Sequence, residues 1–186
     1  MKFCTKENCT VNEETNGVRS KRPANATLDG FDRKILGALV EEAGLSYARI
    51  GERVGLSAPA VFERVKRLRS AGVIGSVSAR LDGESVGKPL LAFVHVDTTG
   101  WGKSERLMRM REFPEVEEMH SVAGDTGMIL KVRTQGPQAL EHLLLQLYVI
   151  PGVTASRSYV VLSTYLDRPV QADVTLDWPK HPLPEE

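Results

Sequence analysis

The spacing of the apolar residues changes once along the chain, and no single repeating architecture accommodates both patterns. Up to Gly72 they recur every three or four positions, the period of helices with one buried face. From Leu90 onward, alternating runs are interleaved with further helical stretches. The chain therefore divides into an all-helical part and an αβ part. Its 186 residues, 41% hydrophobic and 26% charged, suffice for two small domains with cores of their own.

In "LDGFDRKILGALVEEAG", Asp29 suits an N-cap with Asp32 three residues on, and Phe31, Ile35, Leu36, Leu39 and Val40 form one apolar stripe before Gly44 stops the helix. "SYARIGERVG" predicts a short second helix with Ile50 and Val54 inward, ended by Gly55. Ser57 caps a third helix, in whose first turn Pro59 is tolerated because N–H groups there lack partners anyway. Val61, Val65 and Leu68 fall within about 60° of one another on the wheel and form its core face. Ala60, Glu63, Lys66, Arg67 and Ser70 point away, and Arg64 sits about 60° off the stripe. Small residues on the exposed first turn with basic residues beyond describe a helix-turn-helix. A three-helix bundle with a solvated charged face shares this pattern, so charge alone does not separate the two.

After Gly72, "VIGSVSARLDGESVG" predicts a short extended segment with a turn at Asp82-Gly83. Strands are expected over 90–98, 116–123, 128–135 and 153–166, and helices over 103–114, ended by Pro114, and 137–150. The order βαββαβ gives a ferredoxin-like arrangement, an antiparallel sheet with both helices on one face, so the fold class is α+β. With no further helices available, a second subunit is expected to cover the other sheet face.

These signals set boundaries at 1–27 for a disordered N-terminal arm, 28–82 for the helix-turn-helix, 83–89 for a linker and 90–166 for the ferredoxin-like domain. A tail over 167–186 holds four of the ten prolines and is expected to be extended, with Trp178 as its anchor. The cysteines, Cys4 and Cys9, lie in the polar arm without Cys or His neighbours, so neither a disulfide nor a metal site is expected of them. No apolar run approaches the roughly 20 residues that span a bilayer, and the first residues lack the apolar stretch of a signal peptide; a cytoplasmic location and no membrane partner are expected. The zero net charge conceals an uneven distribution. Residues 1–82 carry 14 Lys and Arg against 10 Asp and Glu, and the remainder carry the reverse excess, which marks the first half as the candidate for a polyanionic partner.

Taken together, "LDGFDRKIL", "IGERVGLS" followed by "RVKRLRSAGVI", "ARLD" with Gly87, "AFVHV", His120 with "AGD", and "PGVTASRSYVVL" resemble the Lrp/AsnC or feast/famine regulators over roughly residues 28–166. The resemblance implies a winged helix-turn-helix that binds double-stranded DNA as a dimer, followed by a ferredoxin-like domain of the RAM or ACT type for amino-acid sensing and assembly. It further implies homodimers that associate into higher oligomers, often octamers. Neither a cofactor nor a metal is implied.

Carried onto this chain, the DNA-facing residues are Ser57, Pro59, Ala60, Glu63, Arg64, Lys66 and Arg67. Arg64 and Arg67 are able to bond guanine edges or phosphate. Glu63 costs phosphate attraction and is expected to pair internally with Arg67, four residues on. A small amino-acid effector maps to Ala123, Gly124, Asp125, Thr126, Gly127 and Met128, with Ser158, Tyr159 and Val160 opposite, at contacts between dimers. Backbone donors there suit a carboxylate and Asp125 suits an ammonium. Taken by itself, "GDTG" equally reads as a hairpin turn. Similar regulators often carry an acid where Gly127 stands and an aromatic where Met128 stands. Haem-pathway decarboxylases resemble the same two-domain architecture and supply the alternative, an enzyme. However, His95, His120, His142 and His181 are dispersed and form no nucleophile or metal motif, so no catalytic residue is assigned.

Overall fold

The computed structural model of the chain describes residues 27–99, 104–174 and 176. These form two compact units: 27–77 together with 168–174 and 176, and 78–167. The division falls between Val77 and Ser78 rather than after residue 82, so the expected linker 83–89 belongs to the second unit and the start of the tail to the first. The expected N-terminal arm, Cys4, Cys9, His181 and Trp178 lie outside the described residues, apart from Thr27 at the end of the arm.

Three helices build the first unit: α1 (Gly30–Glu41), α2 (Tyr47–Val54) and α3 (Ala58–Ser70). At the start of α1, Asp29 accepts from the Asp32 N–H at 2.8 Å while Asp32 accepts from the Asp29 N–H at 3.2 Å. This reciprocal pair satisfies donors that have no partner within the helix. Ser57 occupies the N-cap position of α3 in extended geometry, but its hydroxyl makes no capping bond. The end of α3 is tied off by Gly72 at φ 68, with the Gly72 N–H bonded to the Arg69 carbonyl at 2.9 Å and the Val73 N–H to the Leu68 carbonyl at 2.9 Å. That is the reversal a left-handed glycine permits.

Ile35, Ala38, Ile50, Val54, Val61 and Val65 form the core, with Leu68 also buried. The stripe expected on α1 is narrower than its sequence suggests. Phe31 remains 41% exposed, and its ring instead underlies the Arg64 guanidinium at 5.5 Å.

The wing expected after α3 is not formed: among the described residues no strand precedes Leu90. The segment 75–81 is exposed and finds no ladder partner, and the chain instead closes a compact turn. In it the Asp82 carboxylate accepts from the Ser85 N–H at 2.7 Å and the Gly83 carbonyl accepts from the Lys88 N–H at 2.7 Å.

In the second unit β1 (Leu90–Thr98), β2 (Val116–Ser121), β3 (Met128–Thr134) and β4 (Val153–Val160) form one antiparallel sheet of order β2-β3-β1-β4. With α4 (Glu105–Met108) and α5 (Pro137–Val149), this is the expected βαββαβ order. Ala92, Val94 and Val96 of β1 and Met128, Leu130 and Val132 of β3 face inward and pack with Leu107, Met110, Leu140, Leu143 and Leu147.

The helix expected over 103–114 is only one α-helical turn followed by a 3₁₀ turn, Arg109–Glu112. The tighter winding brings Leu107 and Met110, three apart, onto one side, both buried. Pro114 forces Phe113 into extended geometry. β4 likewise stops short of residue 166: after the Val161 N–H bonds the Leu91 carbonyl at 2.9 Å, the neighbouring strand has run back to Pro89, which has no N–H to offer.

Candidate functional site

The outward face of α3 carries Pro59, Glu63, Lys66 and Arg67 in exposed positions, with Ser57 exposed at its start and Ala60 half-buried. Of the residues expected there, Arg64 and Arg67 have a more constrained setting than the helical wheel suggests. Arg64 Nη1 donates to Asp29 Oδ2 at 2.6 Å and to Asp32 Oδ1 at 2.9 Å, and Arg67 Nη2 donates to Asp32 Oδ1 and Oδ2 at 2.6 and 2.5 Å. Asp32 is fully buried, while the side chains of Arg64 and Arg67 are 28% and 53% exposed. Two carboxylates at the start of α1 thus bind one flank of α3. The internal pair expected between Glu63 and Arg67 is absent: Asp32 holds Arg67, and Glu63 has no ion-pair partner among the described residues. Read from the sequence, Asp29 and Asp32 are only a cap. Their D-x-x-D spacing carries that signal, but nothing local announces arginines more than thirty residues away.

Burial pushes the Asp32 carboxyl upward, but bonds from Arg67, the Asp29 N–H and Arg64 outweigh it and hold the group below its ordinary 3.8. Asp29 is lowered as well, chiefly by the Arg64 hydrogen bond, and Arg64 is correspondingly raised by Asp29 and Asp32. A carboxyl whose folded value is depressed contributes stability that is fully present above its unfolded value and lost as pH falls through the folded one. The first unit is therefore expected to melt at the same temperature at pH 7 and pH 5.5 and at a lower one at pH 3, with Asp32→Asn shrinking that acid-dependent difference. A melt of Asp32→Asn that drops as steeply as the parent's between pH 5.5 and 3 would contradict the assignment.

The second expected site is the loop between β2 and β3. The Val122 N–H bonds the Gly127 carbonyl at 3.2 Å, so the segment closes as a hairpin loop. Ala123, Gly124 and Asp125 are exposed, and Asp125 has no ion-pair partner among the described residues. Thr126 and Met128 do not line an open site: both are buried, Met128 in the core, and the Thr126 hydroxyl donates to the Val96 carbonyl at 3.1 Å. A Cβ at Gly127 would stand 3.0 Å from Thr98 Oγ1, so a side chain there would have to displace that hydroxyl. Ser158, Tyr159 and Val160 pair across β4 with Val94, Phe93 and Ala92, whereas Met128 pairs with Val96 on the other side of β1. Within one chain the loop and these β4 residues are therefore not brought together. Two clefts of about 560 and 600 Å³ in this unit are lined by other residues.

The sheet face away from α4 and α5 presents Phe93 and Tyr159 as a cross-strand pair, with His95 against the Tyr159 ring at 4.8 Å. Ion pairs flank them: Arg157 with Asp97 at 3.1 Å, Lys131 with Glu118 at 3.0 Å and Arg133 with Glu117 at 2.7 Å. This face is aromatic at its middle and charged around it. His120 lies 3.1 Å from Glu118 and His142 is exposed on α5, so the described histidines remain apart. Among the described residues no group of three His, Cys, Asp or Glu side chains could hold a metal ion.

A helix-turn-helix unit joined to a ferredoxin-like unit defines a class of DNA-binding regulators with an appended ligand or assembly domain. The family comparisons agree unit by unit. The model of the AsnC-type helix-turn-helix domain matches residues 28–69, and that of the Lrp/AsnC ligand binding domain matches residues 91–171. The HTH-type transcriptional regulator FL11 of Pyrococcus horikoshii is 32% identical over 138 residues, covering 74% of this chain and 91% of its own. The HTH-type transcriptional regulator LrpA of Mycobacterium tuberculosis is 36% identical over 146 residues, covering 77% and 97%. The crystal structure of a transcriptional regulator from Neisseria meningitidis in complex with L-Met superposes with a TM-score of 0.71 at 31% identity, covering 76% of this chain and 94% of that one. The chain belongs to the Lrp/AsnC family of transcriptional regulators. Nothing in these comparisons favours the decarboxylase alternative.

Proposed function

We propose that this protein is a cytoplasmic regulator, without catalytic activity of its own, that binds double-stranded DNA through the outward face of α3 and responds to a small amino acid. The observation that carries the DNA half is that face: Ser57 at the start of α3 and Pro59, Glu63, Lys66 and Arg67 along it are exposed, opposite the buried Val61, Val65 and Leu68. Small residues at the N-terminal turn let the helix approach base edges, and the basic residues beyond it meet phosphate. No helix among the described residues is long and apolar enough to cross a membrane.

The amino-acid half rests on Ala123, Gly124 and Asp125, which offer an exposed loop with a free carboxylate for an ammonium group and backbone donors for a carboxylate. The relative from Neisseria meningitidis was solved with L-Met, which makes methionine the first ligand to test. Because the β4 residues lie elsewhere in the same chain, this reading places the effector at a contact between copies, where one copy supplies the loop and another supplies Ser158, Tyr159 and Val160. Homodimers formed through the aromatic sheet face, associating further into a closed oligomer, provide such contacts.

The test is binding of the full chain to its own upstream DNA, followed by anisotropy with and without each common amino acid. The expected result is strongly salt-dependent binding that weakens in Lys66→Ala and whose affinity or stoichiometry shifts with one small amino acid. Asp125→Ala should abolish that shift while leaving the unliganded DNA affinity intact. Equal DNA affinity of Lys66→Ala and the parent at every salt concentration would remove α3 from the interface.

A further inference from the structure

The ion pairs at the base of α3 commit different atoms of its two arginines, and this difference determines what each can still bind. A guanidinium has two forks capable of gripping two acceptors at once, one made by Nε and Nη2 and the other by Nη1 and Nη2. In Arg67 the atom common to both forks, Nη2, is already bonded to both oxygens of Asp32 at 2.6 and 2.5 Å. Its Nε and Nη1 have no partner among the described residues, but they do not form a fork together. In Arg64 the committed atom is Nη1, bonded to Asp29 at 2.6 Å and Asp32 at 2.9 Å, so the Nε and Nη2 fork stays whole. No buried side-chain nitrogen or oxygen among the described residues lacks a partner, so the unpartnered Nε and Nη2 of Arg64 reach solvent although the side chain is only 28% exposed. The ring of Phe31 lies 5.5 Å from that guanidinium and limits its freedom further.

We infer that Arg64 reads a guanine through its intact fork while Arg67 contacts a DNA phosphate through single donors, and that Asp29 and Asp32 are the positioning residues that impose this division. This rests on the reading of α3 as the DNA-facing helix. Two hydrogen bonds from one guanidinium to the O6 and N7 of guanine discriminate among base pairs, whereas one bond to a phosphate oxygen adds affinity without sequence information. Exposure by itself points the other way, since Arg67 is the more exposed of the two. Asp32, buried and shared between both arginines, holds the arrangement before DNA arrives, so neither side chain has to be ordered on binding.

The experiment uses the full chain, its own upstream DNA and a panel of single base-pair variants of the bound site, read by anisotropy across salt concentrations. Lysine keeps the positive charge beside Asp29 and Asp32 but has no fork. Arg64→Lys is therefore expected to lose discrimination at one base pair per half-site, on the order of 10-fold or more, with the other positions unchanged. Arg67→Ala is expected to weaken all variants alike and to lower the slope of log affinity against log salt by about 1, and Arg67→Lys to restore both. Discrimination retained in Arg64→Lys, or lost at a single position in Arg67→Ala, overturns the division. Neither substitution altering affinity or discrimination would instead remove α3 from the interface and with it the underlying DNA reading. A measurement on the unaltered protein stands apart from any folding defect: 7-deazaguanine placed singly through the site should weaken binding at one guanine per half-site, and insensitivity at every guanine overturns the proposal.

Discussion

Gly51→Ala is expected to destabilise the first unit by about 1–3 kcal/mol or more, the range for forcing an extra group into a packed interior. Gly51 is buried in the middle of α2, where the chain turns back toward α3. Its carbonyl accepts from the Gly55 N–H at 2.8 Å and from the Leu56 N–H at 3.0 Å, which folds the turn tightly over the helix. A Cβ on residue 51 would overlap the Leu56 carbonyl oxygen, and because that atom is backbone no side-chain rotation relieves it. The turn between α2 and α3 would have to open, displacing the start of α3 along with the core residues Ile50, Val54 and Val61. Chemical denaturation followed by circular dichroism measures the loss. Gly37→Ala supplies the comparison, since a Cβ there meets nothing within 4 Å and should leave stability unchanged or improved. Equal midpoints for the two variants would show that the turn yields without cost.

On the proposed pairing of copies through the open sheet face, Phe93→Asp is expected to leave the protein monomeric at micromolar concentration, with each monomer folded. Phe93 stands 40% exposed at the middle of the open sheet face, beside Tyr159 and opposite Lys131. Aromatic residues at the centre of an interface commonly carry roughly 2 kcal/mol or more of the association, about a thirtyfold change in dissociation constant, and a buried unpaired charge adds to the loss. In the separated chain the new carboxylate faces Lys131 across the ladder, a pairing that sheets tolerate. Light scattering gives the mass and circular dichroism the fold. A mass unchanged from the parent across concentration would mean that copies meet through another surface.

What is legible in the sequence follows the range of the interactions concerned. α3 and its core face of Val61, Val65 and Leu68 are written in spacings of three and four, and β1 in an apolar run that alternates with polar residues from Val94 to Asp97, so both can be located from neighbouring residues alone. The order of strands along the chain follows from lengths and turn signals. The partners of Arg64 and Arg67 do not, because Asp29 and Asp32 lie across two helices and a turn, and the same arginines would look identical on a freely solvated face. The expected wing fails for a similar reason: alternation in "VIGSVSAR" indicates extended chain but does not supply a second strand to pair with it. Its place in the motif assigns Met128 to the effector loop, whereas strand alternation from Met128 through Leu130 and Val132 sends it into the core. The effector contact itself is legible only as a local loop, since the residues expected opposite it are not neighbours within one chain.

The return of the tail to the first unit bears on the order in which the protein is built. Residues 78–167 are an insertion between two segments of one compact unit, and the Arg33 guanidinium of α1 donates to the Ala172 carbonyl at 2.7 Å across 139 positions of chain. During synthesis the three helices leave the ribosome first, yet that bond cannot form until every strand of the sheet has been made. A nascent chain cut short after the sheet would carry α1, α2 and α3 without their last contact, so the half of the protein that is translated first is also the half that is completed last.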